Sequence, residues 1–456
     1  MNQRKPKHIV VLVADSLRWD SVYLGGDHRL PYAARHAVRF DQARSSGSWT
    51  LPATASLFTG LIPHEHGATA QTRGLRTDIP TLAERLKRLG YDTHMVTANA
   101  ATTHVFGLHR GFDTLDKAWD LMPPRRSMIH KFLLLLGQPR LRQQLWRKDF
   151  MLGRVSADLE AAKTWLQASL TAVFDRTRQL LDANTAQGKR AFCFLNLMET
   201  HFPYHVADTF ECVSEGPIAK ARELYNLYHL VNQTWLTHGE RRRLQPEMLA
   251  RLRQRQRLAW ERMAPMVDDF FRELREHYEA EVVFCADHGD NFGEQGWQYH
   301  FSNVNDAGTR VPLLWLRHDR DEARIEPRPV STRDVFGTLL RIAGHPDPTL
   351  ANLLERPEHS LPVMQAYWYD RRGRTLPCFR YNQFAFVSGQ RRYAHRIDRW
   401  YEAPITRADE PESPFRALEP GVDALEVALL SRKQAAQLRR IFRAYRQFSA
   451  QIMAAR

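Results

Sequence analysis

The chain alternates short apolar runs with longer amphipathic runs, and this alternation limits the folds available to it. Apolar runs of strand length are HIVVLVADS, DTHMVTANA, RAFCFLNLMETH, AEVVFCADHGD and RVPLLWLR. Runs with helical periodicity stand among them: IPTLAERLKRLGY, WLQASLTAVFDRTRQLLDA, MAPMVDDFFRELREHY and STRDVFGTLLRIAG. Strands that alternate with helices form a mostly parallel sheet covered by helices on both faces. We therefore predict an α/β fold.

The same alternation predicts how the chain is divided. The main domain spans residues 1–345, and two basic or polar helical stretches, at about 119–154 and 208–258, interrupt it as inserts. Residues 346–456 have a different composition and predict a smaller C-terminal α+β subdomain. It contains a hairpin, FAFVSGQRRYAHRI, with Ser388-Gly389 at the turn, and a long final helix, DALEVALLSRKQAAQLRRIFRAYRQFSAQIM.

Charge and composition exclude several classes of protein. The formal net charge is +14, but the cations are spread along the chain without an aromatic-interleaved basic motif. We expect a small anionic substrate and no specific nucleic-acid partner. The four cysteines form no CxxC pair, which argues against a zinc ribbon or a redox dithiol. The N-terminal apolar run is too short for a signal peptide, and no run is long enough to span a membrane. These features predict a cytoplasmic protein without a transmembrane segment.

Polar residues able to bind a metal or an anion follow several predicted strands. Asp15 ends the first strand, Asp287 and His288 end a later one, and His201 and His300 follow in METHFPY and WQYHFSN. Because carboxyl-end residues of parallel strands converge on one crevice, these side chains are predicted to meet. Each has an ordinary alternative, since an aspartate after a strand often caps a helix and a lone histidine is often only hydrogen-bonded.

Thr50 precedes Pro52 at the start of the helical run ATASLFTGL. Proline in the first turn predicts that a helix begins here with Thr50 as its N-cap. The same position favours chemistry, because a helix N-terminus carries positive potential. A divalent metal held by Asp15, Asp287 and His288 would convert the hydroxyl into an alkoxide nucleophile. Thr50 is therefore predicted to be a cap alone, or a cap that is also the nucleophile.

Four motifs stand in order along the chain: IVVLVADSLRWDS, SWTLPATASLFTGLIPHEHG, METHFPY and VVFCADHGDNFGEQG. In this order they resemble the sulfatase-like branch of the alkaline phosphatase superfamily, over roughly residues 7 to 345 without the inserts. The resemblance implies a doubly wound sheet and a nucleophile, Thr50, bound directly to a divalent metal. It implies that Asp15, Asp287 and His288 are the other metal ligands. It also implies that His201 and His300 bind the transferred group or protonate the leaving group.

The sequence departs from the sulfatase pattern at two places. Sulfatases carry cysteine or serine, oxidised to formylglycine, with proline two residues later and arginine two beyond, whereas this chain has Thr50, Pro52 and Thr54. Threonine at this position resembles the phosphodiesterase and phosphoethanolamine-transferase members, which pass the phosphoryl group through a phosphothreonine. Ser16 replaces a second aspartate, which weakens a calcium site. The remaining ligand set suits zinc or manganese better than calcium or magnesium.

These departures favour a metal-dependent hydrolase or transferase that acts on phosphate or phosphonate esters through a threonine nucleophile. Two alternatives stay open. One is a sulfuric ester hydrolase. The other is a catalytically impaired scaffold that binds an anionic partner, which the missing arginine and the missing aspartate would explain.

Overall fold

The computed structural model describes residues 7–23, 29–121, 169–202, 204, 246–300, 303–355, 361–367, 382–396, 398–407, 410 and 412–454. The first predicted insert lies outside the described residues except for positions 119–121. The second lies outside them except for positions 246–258, which are helical.

Seventeen strands are present in the described part of the chain. In chain order they are β1 (His8–Ala14), β2 (Ala37–Phe40), β3 (Ala43–Arg44), β4 (Tyr91–Thr97), β5 (Thr114–Lys117), β6 (Arg190–Leu197), β7 (Ala280–Cys285), β8 (Asn291–Phe292), β9 (Gln298–Tyr299), β10 (Leu313–Leu316), β11 (Arg324–Glu326), β12 (Val330–Ser331), β13 (Val363–Ala366), β14 (Gln383–Ser388), β15 (Arg391–Arg396), β16 (Arg399–Pro404) and β17 (Arg416–Ala417).

The described α-helices are α1 (Trp19–Tyr23), α2 (Pro31–His36), α3 (Thr50–Thr59), α4 (Pro63–His66), α5 (Leu82–Arg88), α6 (Ala118–Leu121), α7 (Ser169–Ala186), α8 (Pro246–Glu276), α9 (Asp306–Thr309), α10 (Asp334–Ile342), α11 (Ala424–Val427) and α12 (Arg432–Ala454). Short 3₁₀ helices cover Ala100–Thr102 and Glu294–Gly296. None of these helices is both long and apolar enough to cross a lipid bilayer.

The central sheet has eight strands in the order β11-β2-β10-β7-β1-β6-β4-β5. Strand β1 lies in its middle and runs parallel to both neighbours, β6 and β7. All seven residues of β1 are buried, as expected of an apolar strand covered by helices on both faces. The predicted mostly parallel α/β fold is confirmed.

One strand of the central sheet runs against the others. Strand β10, predicted as RVPLLWLR, pairs antiparallel with both β7 and β2. Its four residues are buried like those of the parallel strands. The apolar run therefore indicated the strand but not its direction, because a continuous buried run looks the same in either orientation.

Helix α8 is longer than the sequence pattern indicated. The predicted helix MAPMVDDFFRELREHY and the end of the second predicted insert form one continuous helix, Pro246–Glu276. Apolar side chains along its C-terminal half belong to the main core: Trp260, Met263, Val267, Phe270, Phe271 and Leu274. The polar residues of 246–258 are therefore joined directly to an element that packs on the sheet.

The C-terminal region contains a five-stranded antiparallel sheet, β13-β14-β15-β16-β17, beside helices α11 and α12. The predicted hairpin is strands β14 and β15, but its turn is Gly389-Gln390, because Ser388 still pairs with Arg391. The single long final helix predicted here is wrong: α11 ends at Val427 and α12 begins at Arg432. Ser431 restarts the helix through a capping box with Gln434, with reciprocal bonds of 3.2 and 2.9 Å.

Candidate active site

The candidate metal ligands come from the carboxyl ends of two adjacent strands. Asp15 follows β1, and Asp287 with His288 follows β7. Asp15 is fixed at the sheet edge because its backbone N–H donates to the carbonyl oxygen of Leu197, at the end of β6, over 2.8 Å. The convergence expected at the carboxyl edge of a parallel sheet is therefore present.

Asp15, Asp287 and His288 form a buried cluster. Nε2 of His288 lies 3.7 Å from Oδ1 of Asp15 and 3.5 Å from Oδ2 of Asp287. One ligand atom from each residue lies within 4.8 Å of the others. Nδ1 of His288 lies 3.0 Å from the carbonyl oxygen of Gly289, so in the neutral ring Nδ1 carries the hydrogen and Nε2 has the lone pair. A histidine held in this way is ready to bind a metal through Nε2.

Two atoms of this cluster indicate that a cation fits there. Oδ2 of Asp287 and Nε2 of His288 are buried and have no hydrogen-bond partner among the described residues. Burial and the neighbouring Asp15 carboxylate raise the pKa of Asp287. Burial alone would lower the pKa of His288, but Asp287 and Asp15 raise it. Buried carboxylates that disfavour each other's charge are stabilised by a divalent ion.

Thr50 is the first residue of helix α3, and the N-cap is Trp49. The prediction that Thr50 caps the helix is therefore wrong. An N-cap hydroxyl at Thr50 would accept from a first-turn N–H, but Pro52 has none and the N–H of Ala53 donates to the carbonyl oxygen of Trp49 over 3.2 Å. The Thr50 hydroxyl is thus not used for capping. It lies 3.3 Å from Nδ2 of Asn99 instead.

Asn99 joins the threonine to the metal-ligand cluster. Its Nδ2 donates to Oδ2 of Asp15 over 2.6 Å and also lies 3.3 Å from Oγ1 of Thr50. Its Oδ1 accepts from the backbone N–H of Ala101 over 2.8 Å, which fixes the amide orientation. Asn99 was not among the predicted site residues, although it lies in the predicted strand run DTHMVTANA and just after the end of β4, at the same sheet edge.

Ser16 supports the cluster through its backbone. Its N–H donates to Oδ1 of Asp287 over 3.1 Å, and its hydroxyl lies 3.2 Å from Oδ1 of Asp15. Ser16 has a φ of 60°, a left-handed conformation that is unfavourable for a residue with a side chain. The strained backbone therefore aims the Ser16 N–H at the candidate ligand Asp287. This role of Ser16 was not predicted from the sequence.

His300 lies beside His288 of this cluster, and His201 lies beside His300. The His300 ring centroid is 4.4 Å from that of His288 and 5.3 Å from that of His201. Nδ1 of His300 pairs with Asp290, whose other oxygen accepts from the hydroxyl of Tyr204 over 2.7 Å. Burial lowers the pKa of His300 to about 4 even though Asp290 opposes this change. The His300 ring is therefore neutral at neutral pH.

A second group of possible metal ligands consists of His288, Asp290 and His300. Its carboxylate is already paired with His300 and Tyr204. Burial alone would raise the pKa of Asp290, but His300 and His288 hold it below its usual value. Asp290 is thus better suited to orient His300 than to bind an ion, and the cluster of Asp15, Asp287 and His288 is the stronger candidate.

The loop before Thr50 is held from both parts of the chain. Ser45 donates its N–H to the carbonyl oxygen of Thr309 over 2.7 Å, and the carbonyl oxygen of Ser46 accepts from the N–H of Gln365 over 2.9 Å. Gly47 has no room for a side chain, since a Cβ there would lie 2.9 Å from Pro52 and from the backbone nitrogen of Ala53. The position of Thr50 is therefore set by packing on several sides.

Comparison with known proteins agrees with this architecture. A family model described as Sulfatase matches residues 7–345. A choline-sulfatase of Rhizobium meliloti (strain 1021) is 23% identical over 340 residues, which are 68% of this chain and 61% of that protein, so less than two thirds of that relative is matched.

Two solved structures share the fold. A phosphonate monoester hydrolase of Agrobacterium radiobacter has a TM-score of 0.63 at 14% identity, covering 97% of this chain and 96% of that chain. A protein in the alkaline phosphatase superfamily from Vibrio parahaemolyticus has a TM-score of 0.58 at 16% identity, covering 98% of this chain and 89% of that chain. The resemblance predicted from the motifs is confirmed, and because the family model matches most of the sequence, the chain belongs to the sulfatase family.

Proposed function

We propose that the protein is a metal-dependent hydrolase or transferase of phosphate or phosphonate esters, with Thr50 as its nucleophile. One observation carries the proposal. A single side-chain amide, that of Asn99, contacts both the Thr50 hydroxyl at 3.3 Å and the Asp15 carboxylate at 2.6 Å. The hydroxyl is therefore held against the buried cluster of Asp15, Asp287 and His288, and helix capping does not occupy it.

The donor set fits a divalent metal. Two carboxylates and an imidazole with a free Nε2 lone pair, together with the threonine oxygen, supply four oxygen and nitrogen ligands, which suit zinc or manganese. When bound, such an ion would supply positive charge that favours loss of the Thr50 proton and offsets charge on the substrate.

The chain's own residues would perform the transfer as follows. The Thr50 oxygen, after losing its proton to solvent, forms a bond to phosphorus while the bond to the leaving oxygen breaks. Water, or an acceptor alcohol in a transferase, then attacks the phosphothreonine and releases Thr50. The backbone N–H groups of Thr50 and Leu51, which precede the first intrahelical bond of α3 at Ala53, would stabilise the transferred anion.

His201 is the proposed acid for the leaving oxygen. Its Nδ1 lies 2.9 Å from the carbonyl oxygen of Phe202, so Nδ1 carries a hydrogen and Nε2 is the atom that can deliver a proton. His201 is also less buried than His300. Burial lowers the pKa of His300 to about 4, so its ring is neutral. Its Nδ1 hydrogen is donated to Asp290, so Nε2 can only accept, and His300 would instead orient the attacking water or acceptor alcohol by accepting a hydrogen bond from it.

A sulfuric ester hydrolase is the second candidate, and the match to a choline-sulfatase supports it. Thr50 argues against it, because threonine cannot yield the formylglycine of the family's sulfatases. The impaired-scaffold alternative predicts no turnover and no need for a metal.

The test is turnover of chromogenic phosphate monoesters, phosphate diesters, phosphonate esters and sulfate esters. The protein is stripped of metal and refilled with zinc, manganese, magnesium or calcium. Thr50→Ala should abolish metal-dependent turnover of a diester or phosphonate ester, whereas Thr50→Ser, which keeps a hydroxyl, should retain part of it. A sulfate ester as the best substrate would favour the second candidate. If the protein shows no turnover and binds no metal, the impaired-scaffold alternative is the one that remains.

A further inference from the structure

Helix α12 carries an unusual charge distribution. Its 23 residues include six cations and no acidic side chain. The cations are Arg432, Lys433, Arg439, Arg440, Arg443 and Arg446, and all of them are exposed. The rest of the chain mixes cations with 51 acidic residues, so this helix is a local excess of positive charge.

All six cations lie on one side of the helix. At about 100° per residue they fall within an arc of roughly 140°, and they extend over about 21 Å of helix length. The opposite side holds Leu438, Ile441 and Tyr445, which are buried against the C-terminal sheet. The helix therefore presents a straight basic face to solvent, which we call the α12 basic face.

Few acidic groups offset this face. Arg446 lies 3.4 Å from Asp398, and both side chains are exposed. Arg432, Arg439, Arg440 and Arg443 have no ion pair with any described residue. These four arginines of the α12 basic face are thus available to an external anion.

An exposed apolar segment lies next to the basic face. Leu429 is 83% exposed and Val427 is 52% exposed, and both immediately precede helix α12. Leu429 also lies beside the hairpin turn, 3.8 Å from the position of a Cβ on Gly389. Apolar side chains at the end of a basic helical face are the combination that binds the boundary between lipid headgroups and acyl chains.

We propose that the α12 basic face, with Val427 and Leu429, docks the protein on an anionic phospholipid surface. Clusters of four to eight cations on an amphipathic helix bind such surfaces, and exposed leucine adds apolar contact. A single-stranded nucleic acid fits less well, because the helix aromatics Phe442, Tyr445 and Phe448 pack into the C-terminal core and leave no stacking platform. This inference does not depend on the proposed chemistry.

The test is sedimentation of the full chain with vesicles of phosphatidylcholine, alone or mixed with phosphatidylglycerol. We expect binding only to the mixed vesicles, and weaker binding as salt shortens the Debye length. The triple variant Arg439→Glu, Arg440→Glu, Arg443→Glu should bind roughly 100-fold more weakly. Leu429→Ser should weaken binding several-fold without changing the charge.

A matched control carries the same change in charge elsewhere. Arg35→Glu, Arg88→Glu and Arg320→Glu alter three exposed arginines of the main domain and should leave vesicle binding within about twofold. Glutamine in place of glutamate at the three α12 positions repeats the test with less repulsion if the first variant unfolds. Equal loss in the control, equal binding to neutral vesicles, or tighter binding to an oligonucleotide at the same salt would overturn the proposal.

Discussion

Replacement of Asp306 by asparagine should destabilise the protein strongly, because its carboxylate is the centre of a buried ionic network. Oδ1 and Oδ2 of Asp306 accept from Nε and Nη2 of Arg44, each over 3.0 Å. Arg392 lies 3.1 Å away and also pairs with Glu412 over 3.0 Å. The side chains of Asp306, Arg44 and Arg392 are all 0% exposed, so solvent does not screen these interactions.

The expected loss follows from the charges that asparagine would leave behind. Burial alone would raise the pKa of Asp306, but Arg392, Arg44 and Arg310 together hold it at about 2. A fall from 3.8 to about 2 corresponds to about 2.5 kcal/mol of stability. The variant would also take from buried Arg44 the carboxylate with which it pairs and leave buried Arg392 paired with Glu412, so we expect a total loss of about 3–5 kcal/mol.

The sign of the pH dependence follows from the lowered pKa. A carboxyl whose folded pKa lies below its unfolded pKa binds protons more readily in the unfolded chain, so lowering the pH favours unfolding. The contribution of Asp306 is complete above its unfolded pKa of 3.8 and is lost as the pH falls through about 2. The difference between wild type and variant should therefore be constant from neutral pH down to about 4 and narrow below it.

Urea and thermal unfolding, followed by circular dichroism and calorimetry, measure this difference. Asp78→Asn breaks an exposed ion pair with Arg76 and should produce no measurable change. Adding Arg44→Met to Asp306→Asn should recover part of the loss, since it removes an uncompensated cation. If Asp306→Asn unfolds within about 0.5 kcal/mol of wild type, the network does not carry the stability assigned to it.

Three further predictions concern the site. Gly289→Ala should weaken metal binding, measured by calorimetry, about 10- to 100-fold, because the added Cβ would lie 2.2 Å from a carbonyl oxygen of helix α9. Gly74→Ala is the control, since a Cβ there lies 3.6 Å from its nearest neighbour and should not change the affinity. Unchanged metal affinity in Gly289→Ala would refute this reasoning. Asn99→Ala should lower kcat for the best of the chromogenic ester substrates about 10- to 100-fold, because it removes the N–H donor shared by Asp15 and Thr50. A change confined to KM would contradict this role of Asn99. Removal of the metal by a chelator should lower the thermal midpoint. The loss of stability should be about 2.7 kcal/mol relative to protein in free metal at 100 times the dissociation constant. Asp287→Asn should abolish this response, and a chelator effect that persists in that variant would place the ion elsewhere.

Much of the framework was predictable because its signals are local and strong. The apolar runs that become β1, β4, β6 and β7 are of strand length and end at polar residues. Once parallel order is assumed, the convergence of Asp15, Asp287 and His288 follows from strand direction alone. His300 was expected at the same sheet edge, but it follows β9, which lies outside the central sheet, so its place beside His288 depends on the path of the loop.

Other features depend on contacts that the pattern does not contain. The direction of β10 is set by the path of the chain between β7 and β10, which residue periodicity does not report. Asn99 lies in the run DTHMVTANA, which predicted a strand, and its role follows only from its distances to Asp15 and Thr50. In contrast, the break between α11 and α12 could have been predicted from the sequence, because Ser431 and Gln434 have the spacing of a capping box.

The C-terminal region braces both loops on which the proposed chemistry depends. Gln365 of β13 holds the carbonyl oxygen of Ser46 in the loop before Thr50. Glu412 accepts from the backbone N–H groups of Asp306 and Ala307, each over 2.9 Å, at the start of helix α9.

Helix α9 in turn sets the position of the ligand loop. Gly289, next to His288, donates its N–H to the carbonyl oxygen of Gly308 over 2.9 Å, and the carbonyl oxygen of Ala307 leaves no room for a side chain on Gly289. Breaking the contacts of Glu412 would therefore move His288, while breaking those of Gln365 would move the loop before Thr50. The proposed nucleophile and ligands must keep one geometry, and a displacement of about 1 Å can lower a rate about 100-fold. We therefore expect the proposed chemistry to need residues 346–456, although the proposed reacting groups all lie before residue 346.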